Sequence, residues 1–322
     1  MTDITRIGPA SGTVTECLEE LEKQGLSRNK AAAQIGVSGA TLGLWLRGKY
    51  TGDVAEVDAK VSRWLHTRRE AERHSLEAAG LDVHRNLAVT EEVGAVLAHA
   101  HAAGDIVLVH GRSGGGKSWA AEQYCATHSS AYFVRMTPTV RSLAGMLGRV
   151  SDAVGAYGDH RSTQAAEDKV VEQLHGRHAL LAIDEAEHLP GRSLEALRCI
   201  RDIAGCGLAL IGDDTIRMTL GRHPKIVGRI ASRLNTAAPR EGDVATLLQG
   251  VIKRRPTRRE IDVALAVARG PGGLHALRRA LERAWMAASI AGRDRVEIAD
   301  LEAAGREAAS LEDVVDKKGR AA

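Results

Sequence analysis

The stretch that decides the fold is "HGRSGGGKSW" (residues 110–119), which directly follows the apolar run "DIVLV" (residues 105–109). It matches the pattern G-x-x-x-x-G-K-[ST] without a mismatch. Glycine is costly to order, so four glycines within these ten residues need a physical reason. Because glycines let backbone N–H groups turn inward around an anion, the stretch predicts a phosphate-binding loop between a strand and a helix.

Two side chains of this loop carry the expected chemistry. Lys117 is expected to bridge the β- and γ-phosphates of ATP, and Ser118 is expected to ligate Mg²⁺. The loop backbone and the start of the following helix are expected to hold the other phosphate oxygens. The residues predicted to bind the nucleotide are Gly111, Ser113, Gly114, Gly115, Gly116, Lys117, Ser118 and Trp119.

Apolar strands alternate with amphipathic helices around the loop. Helices between the strands imply right-handed crossovers, and therefore a parallel, three-layer α/β domain. The predicted strands are residues 105–110, 131–136, 179–184, 207–212 and 234–238. The chain that follows has no strand pattern and reads as four helices.

These patterns divide the chain into three domains, a linker and a tail, and a chain of 322 residues is expected to hold two or three domains. We predict a small all-α helix-turn-helix domain, a helical linker, an α/β core, a helical C-terminal domain and a tail. Their predicted bounds are 1–66, 67–86, 87–240, 241–310 and 311–322.

The run "LLAIDEAEHL" (residues 180–189) puts two carboxylates at the end of a predicted strand. Asp184 is expected to hold the Mg²⁺ shell, and Glu185 is expected to orient and activate the attacking water. Phosphoryl transfer to water needs both roles. Together with Lys117, these residues predict an ATPase.

With these motifs, residues 87–305 resemble the AAA+ ATPases. The resemblance implies a P-loop AAA+ core with a helical lid. It puts Asp213 at the first sensor position, where the family more often has Asn or Thr, and an acid there implies slow hydrolysis or a larger role for Asp214. It aligns His275 with the nucleotide-sensing arginine of the lid, and Arg278 follows one turn later.

The segment "RIASRLN" (residues 229–235) carries two arginines. Arg233 matches the family's arginine finger, which reaches the nucleotide of a neighbouring subunit and stabilises the transition state. A finger supplied by a neighbour implies that ATP promotes self-assembly into a ring or helical filament. An arginine in a surface ion pair is the alternative, and it is stronger for Arg229 than for Arg233.

The stretch "GLSRNKAAAQIGVSGATLGLWLRGKY" (residues 25–50) resembles a helix-turn-helix of the λ-repressor type. Gly36 is expected to make the turn, Ser38 to cap the second helix, and Leu44 and Trp45 to be at least partly buried. The exposed residues of the second helix are small, which predicts contact with the DNA backbone and weak sequence preference. A protein-docking domain is the alternative. The candidate DNA contacts here are Arg28, Lys30, Thr41, Arg47 and Lys49.

Charge is unevenly distributed, although the net charge is only +3. Residues 26–50 hold four bases and no acid, residues 222–259 hold ten bases and two acids, and residues 152–195 hold nine acids and four bases. Two basic regions around an acidic one are typical of a nucleic-acid binder, with solvated helix faces as the alternative. The further candidate DNA contacts are Arg149, Arg161, Lys253, Arg254 and Arg255.

Composition excludes several classes. Aromatic residues make up only 3% of the chain, which favours helices packed on a modest sheet over a β-sandwich. The four cysteines are scattered without a CxxC pair, so we expect neither a disulfide framework nor a zinc site. No 18-residue apolar run and no signal-peptide pattern is present, so we expect no membrane partner and no export.

The combination of helix-turn-helix, AAA+ core and helical lid is similar to the family of phage Mu B transposition proteins and their prophage relatives. The resemblance implies an ATP-dependent, largely sequence-nonspecific DNA-binding ATPase in the bacterial cytoplasm. Such a protein polymerises on duplex DNA, delivers target DNA to a transposase and stimulates strand transfer, while the transposase stimulates ATP hydrolysis. The basic segment "KRRPTRR" (residues 253–259) is a candidate for binding phosphates or the transposase.

Two other functions stay open at this point. A helicase loader or replication initiator is also an AAA+ ATPase, but it has a helicase partner. A transcription regulator that uses ATP only as a ligand switch needs a specific operator and little hydrolysis. The small residues of the second N-terminal helix argue against the regulator.

Overall fold

The computed structural model describes residues 11–73, 87–157 and 162–319. The chain forms two compact units that divide at residue 80. Part of the predicted linker, residues 74–86, and the candidate DNA contact Arg161 lie outside the described residues. None of the described helices combines the length and the apolar character needed to cross a membrane.

The described part of the first unit contains four helices and the turns between them. Its elements are α1 (Ser11–Lys23), α2 (Arg28–Ile35), α3 (Gly39–Leu46) and α4 (Val54–Arg73). A tight turn joins α2 to α3, with Gly36 at φ 79° and Ser38 capping α3 by accepting a hydrogen bond from the backbone N–H of Thr41 at 3.0 Å. Both features agree with the turn and the cap that the sequence predicts.

Trp45 is the centre of this unit. Its side chain is fully buried, and its indole N–H donates a hydrogen bond to Asp58 of α4 at 2.6 Å. Leu44, which we expected to be at least partly buried, is 37% exposed because it lies off the helix face that Leu42 and Trp45 share. Leu65 of α4 also packs in this core, and α4 continues through the predicted boundary at residue 66.

The second unit begins with an α/β core of five strands and the helices between them. Its elements in chain order are α5 (Ala88–Ala103), β1 (Ile106–His110), α6 (Lys117–Thr127), β2 (Ala131–Arg135), α7 (Leu143–Val154), α8 (Thr163–Leu174), β3 (Leu180–Asp184), a short 3₁₀ helix (Ala186–His188), α9 (Gly191–Ala204), β4 (Gly207–Gly212), α10 (Ile216–Gly221), α11 (Pro224–Val227) and β5 (Ile230–Asn235).

The strands form one parallel sheet in the order β2-β3-β4-β1-β5. The first four strands lie where the sequence predicts them. The fifth predicted strand, residues 234–238, was wrong in its bounds, because β5 begins at Ile230 and pairs with β1 only as far as Asn235. The ladder ends there because β1 itself ends at His110, whose carbonyl accepts one last hydrogen bond from Thr236.

Helices cover both faces of this sheet, so the architecture is the three-layer one expected. Helices α7, α8 and α9 pack on one face, where Leu108, Leu181 and Leu210 belong to the main hydrophobic core. Helices α5 and α6 lie on the other side. Every residue of β1 is buried, as expected for a strand covered on both faces.

The chain ends in the four predicted helices, α12 (Glu241–Ile252), α13 (Arg258–Arg269), α14 (Gly273–Ile290) and α15 (Ile298–Gly319). The residues predicted as a tail from 311 continue α15 as far as Gly319. A reciprocal cap between Thr257 and Glu260 begins α13. Burial alone would raise the pKa of Glu260, but hydrogen bonds from Arg254 and Thr257 outweigh it and hold that pKa below its ordinary value.

We predict that Trp45→Ala destabilises the first unit by about 3–5 kcal/mol, because it leaves a cavity and deprives Asp58 of its donor. Amide hydrogen exchange of α2 to α4 in the full chain measures this free energy. The control Leu44→Ala removes a side chain that is 37% exposed and should change exchange little. Equal exchange in both variants would contradict the central role of Trp45.

Candidate functional site

The predicted phosphate loop joins the carboxyl end of β1 to the start of α6. Gly111, Gly114 and Gly116 have φ angles of 146°, 75° and 91°, which residues with a Cβ rarely adopt. At Gly111 a Cβ would also collide with Thr236, the residue after β5. The motif therefore has the strand–loop–helix context that phosphate binding requires.

Lys117 lies inside this loop and is only 6% exposed. Its Nζ donates hydrogen bonds to the carbonyl oxygens of Gly111 and Arg112, both at 2.8 Å. Burial lowers the pKa of Lys117 below its ordinary value, and nearby carboxylates, Asp184 foremost, oppose that shift. A phosphate oxygen in place of these neutral carbonyls would give the ammonium a stronger, charge-assisted partner.

Ser118 and Asp184 come from different elements and meet at the site. Ser118 Oγ donates a hydrogen bond to Asp184 Oδ1 at 2.9 Å, and Asp184 is 2% exposed. The other carboxylate oxygen accepts a hydrogen bond from Arg135 Nε of β2, also at 2.9 Å. A hydroxyl beside a carboxylate offers the oxygen ligands that Mg²⁺ prefers, so this pair fits the predicted metal.

Glu185 follows β3 at a sharp turn of the chain. Its φ of 57° is in the left-handed region, which costs a non-glycine residue about 1–3 kcal/mol. Its carboxylate is 45% exposed, lies 3.5 Å from His188 Nε2 and lines the same cavity as the loop. This location is compatible with the predicted contact with an attacking water.

The two aspartates after β4 are each held by a local partner. Asp213 lines the cavity, and its Oδ1 accepts hydrogen bonds from the backbone N–H of Thr215 at 2.8 Å and from the Thr215 hydroxyl. Asp214 Oδ1 lies 2.9 Å from Nδ1 of His110, the last residue of β1. Asp213 therefore lies at the cavity, where its predicted sensor role stays a prediction, while Asp214 is held by the last residue of β1.

Glu187 is a pocket residue that the sequence reasoning missed. Its Oε2 is buried, lies against Gly212 of β4 and has no hydrogen-bond partner among the described residues. Burial foremost, together with the charges of Glu185 and Asp213, raises its pKa to about 7, and hydrogen bonding from the backbone N–H groups of Glu187 and Asp213 opposes that rise. Its position two residues after Glu185 was visible in the sequence, but its burial was not.

The cavity at this edge of the sheet has a volume of about 470 Å³. Predicted nucleotide contacts from the loop and the lid line it together, including His275. Arg278, which follows His275 by one turn of α14, lines it as well. Arg135 and Glu122 were not anticipated. The apolar part of the lining is Leu87, Val89, Trp119 and Leu274.

The loop and the lid touch directly. The backbone N–H of His275 donates to the carbonyl of Gly114 at 3.4 Å, and Arg112 donates to the carbonyl of Arg269 at 3.3 Å. A Cβ on Gly114 would collide with the carbonyl of Gly272. The lid is therefore packed so closely on the loop that only glycine fits at the contact.

The two arginines of "RIASRLN" differ in their surroundings. Arg229 forms an ion pair with Asp202 of α9. Arg233 lies exposed on the edge strand β5 and makes no ion pair with any residue that the structure describes. Of the two, only Arg233 leaves its guanidinium available within the described chain, which favours it as the finger.

The candidate DNA contacts of the first unit are exposed, except that Thr41 is half-buried. Its hydroxyl lies 2.8 Å from that of Ser38. The four cations among them form no ion pair with a described acidic residue. They are Arg28, Lys30, Arg47 and Lys49.

Most of the candidate DNA contacts in the second unit already have partners within the protein. Arg149 donates to the carbonyl of Arg135 and to Thr137, and Lys253 Nζ lies 5.5 Å from the centroid of the Trp285 ring. Arg254 makes two hydrogen bonds to Glu260, at 2.6 and 3.0 Å. Arg255 is exposed and has no ion pair within the described part of the chain.

Within the basic segment 253–259, Arg258 pairs with Glu241 and Asp262, and Arg259 pairs with Glu302. Much of the charge that the sequence concentrates there is thus neutralised within the lid.

This fold and site define the class of the protein. Residues 101–220 match the family described as "AAA domain". The solved structure of the ORC2 protein of Aeropyrum pernix is similar with a TM-score of 0.53 at 16% identity, over 68% of this chain and 66% of that chain. The chain therefore contains an AAA-type P-loop domain.

Similarity to two further proteins covers more of the chain. The chain is 26% identical over 243 residues to the Mu-like prophage FluMu DNA transposition protein B of Haemophilus influenzae, covering 73% of this chain and 84% of that protein. It is 26% identical over 276 residues to the ATP-dependent target DNA activator B of Escherichia phage Mu, covering 83% and 86%. The resemblance to the phage Mu B proteins that the sequence indicates is thus confirmed.

We predict that Gly114→Ala weakens nucleotide binding, because its methyl group would collide with the lid at Gly272. Overpacking of this kind costs about 1–3 kcal/mol. The free loop can relieve it by shifting away from the lid, and binding must then reverse that shift, which lowers the affinity by roughly 5- to 150-fold. Titration with a fluorescent ATP analogue measures it. The control Gly94→Ala adds a methyl to α5 where nothing lies within 4 Å, and it should bind like the wild type. Unchanged affinity of Gly114→Ala would contradict the close contact.

Proposed function

We propose that the protein is an ATP-dependent, largely sequence-nonspecific DNA-binding ATPase. It assembles on duplex DNA in the bacterial cytoplasm, presents that DNA to a transposase and stimulates strand transfer. The observation that carries the ATPase part is the meeting of Lys117, the Ser118–Asp184 pair and Glu185 around one cavity. The names of the homologous B proteins support the role in transposition.

Hydrolysis follows from the roles of these side chains. Lys117 exchanges its two carbonyl partners for oxygens of the β- and γ-phosphates. Ser118 and Asp184 hold Mg²⁺, which when bound neutralises charge on those phosphates. The Glu185 carboxylate orients a water in line with the γ-phosphorus and accepts its proton as the bond to the β-phosphate oxygen breaks.

Self-assembly is supported by Arg233, which has no ion-pair partner among the described residues. Arg233 is exposed on β5, the edge strand next to β1, whereas the neighbouring Arg229 is already paired. An exposed guanidinium without a partner is suited to the γ-phosphate of a nucleotide bound by an adjacent subunit. ATP then links neighbouring subunits, and its hydrolysis releases them.

DNA binding is supported by the first unit. Four exposed cations there, Arg28, Lys30, Arg47 and Lys49, have no acidic partner among the described residues. Cations of this kind bind phosphates and release counterions, so the affinity falls steeply with salt concentration. The basic segment of the lid contributes less, because Arg254, Arg258 and Arg259 already pair with acids.

We predict that Lys117→Ala weakens ATP binding roughly 100-fold and abolishes assembly on DNA, because it removes two charge-assisted hydrogen bonds to phosphate. Nucleotide titration and electron microscopy with duplex DNA, with and without ATP, measure both effects. The control Lys169→Ala removes an exposed lysine of α8 and should behave like the wild type. Filaments formed by Lys117→Ala would refute ATP-dependent assembly, and protection of a single operator sequence would favour a regulator.

We predict that Arg233→Ala binds ATP normally but hydrolyses it at least about 1,000-fold more slowly. Mixing it with Glu185→Gln should restore activity, because one subunit then supplies the intact carboxylate and its neighbour the intact arginine. Random equal mixing restores about a quarter of the sites in a head-to-tail assembly. The control Arg177→Ala alters an exposed arginine before β3 and should keep full activity. An inactive mixture would exclude a finger supplied by a neighbour.

A further inference from the structure

The side of the cavity next to β3 and β4, where the proposed function puts the γ-phosphate, holds several carboxyl groups. Glu185, Glu187 and Asp213 all line it, and each of the other two carboxylates raises the pKa of Glu187. A triphosphate entering this space brings further negative charge. Ionised carboxylates only accept hydrogen bonds, so a site of this composition lacks a neutral donor for a phosphate oxygen on the β4 side.

The residues after β4 do not supply that donor. Asp213 is an acceptor already engaged by the backbone and hydroxyl of Thr215. Asp214 is engaged by His110 at the end of β1. Neither side chain can act as the amide or hydroxyl that the AAA+ resemblance leads one to expect at this position.

Glu187 differs from these two residues. Its Oε2 is buried against Gly212, the last residue of β4, where no described residue offers it a hydrogen bond. A buried oxygen without a donor is expensive when the group is ionised, and much less so when that oxygen carries a proton. A neutral carboxyl group there carries an O–H donor, and no residue of the described protein accepts a hydrogen bond from it.

We propose that Glu187, as a neutral carboxylic acid, donates a hydrogen bond to a γ-phosphate oxygen and so takes the part that a polar sensor residue plays. The proposal rests on the proposed function, because it requires ATP in this cavity. Glu187 keeps its proton throughout. The attacking water gives its proton to Glu185, and the bond from the γ-phosphorus to the β-phosphate oxygen breaks.

The charges around Glu187 support this protonation state. Burial foremost, together with the charges of Glu185 and Asp213, raises its pKa to about 7, although hydrogen bonding from the backbone N–H groups of Glu187 and Asp213 opposes that rise. His188 on the same segment is the other titratable neighbour, with a ring nitrogen within 4.8 Å of the Glu187 carboxyl group. The ammonium group of Lys117 on α6 opposes them, but it is expected to be engaged by the phosphates when nucleotide is bound. A folded-state pKa above the ordinary value means that the donor is present at low pH and is lost as pH rises through that pKa.

The test compares the pH dependence of kcat for Glu187→Gln, Glu187→Ala and the wild type between pH 6 and 9. The wild-type rate should fall as pH rises above about 7. Gln keeps a donor that does not titrate, so its rate should stay within about threefold of the wild type at pH 6 and should not fall at high pH. Ala should be about 100-fold slower than the wild type at pH 6, its rate should not fall further as pH rises, and its KM should change little.

Two outcomes would overturn the proposal: a Gln variant as slow as Ala, which would mean that the carboxylate is needed as a base, or an Ala variant with the wild-type rate and profile. Gln has nearly the shape of Glu, and binding of a fluorescent ATP analogue checks that each variant folds. The control Glu172→Gln alters an exposed residue of α8 and should match the wild type. If Lys117→Ala hydrolyses ATP like the wild type, the proposed function itself fails, which is distinct from failure at Glu187.

Discussion

The hydrogen-bond ladders on both sides of β1 are the constraint on which the site depends. The strand is bonded to β4 along one edge and to β5 along the other, and all of its residues are buried. Such a strand cannot shift by one residue without breaking two ladders and exposing apolar side chains. Its end at His110 therefore fixes where the phosphate loop begins and how far it lies from the ends of β3 and β4.

Because the strands are parallel, functional side chains from distant parts of the sequence lie together at the carboxyl ends of the strands. Residue 184 ends β3, and residues 117 and 213 follow β1 and β4. They meet because parallel strands end on the same side of a sheet. The contact of Gly114 with Gly272 holds the lid against the loop beside this cavity. The cavity is therefore lined by residues of both the core and the lid.

The ion pairs of the basic residues indicate a DNA-binding surface better than the number of basic residues does. The lid segment 253–259 is the densest basic run, but its Arg254 pairs with the buried Glu260 and two other arginines pair with acids of neighbouring helices. The first unit carries fewer cations, and they are unpaired among the described residues. DNA binds more tightly to cations that do not have to break an existing ion pair, and this favours the first unit as a DNA-binding surface.

The sequence by itself determined the phosphate loop, four of the five strands, the four C-terminal helices and the carboxylates after β3. Each of these is encoded by contiguous residues, through apolar periodicity or a motif of fixed spacing. Only the tertiary structure decided the start of β5, the bond from Arg135 to Asp184, the pairing of Arg229 and the burial of Glu187. These depend on which side chains meet through space and how far water is excluded there, and no local pattern along the chain records either.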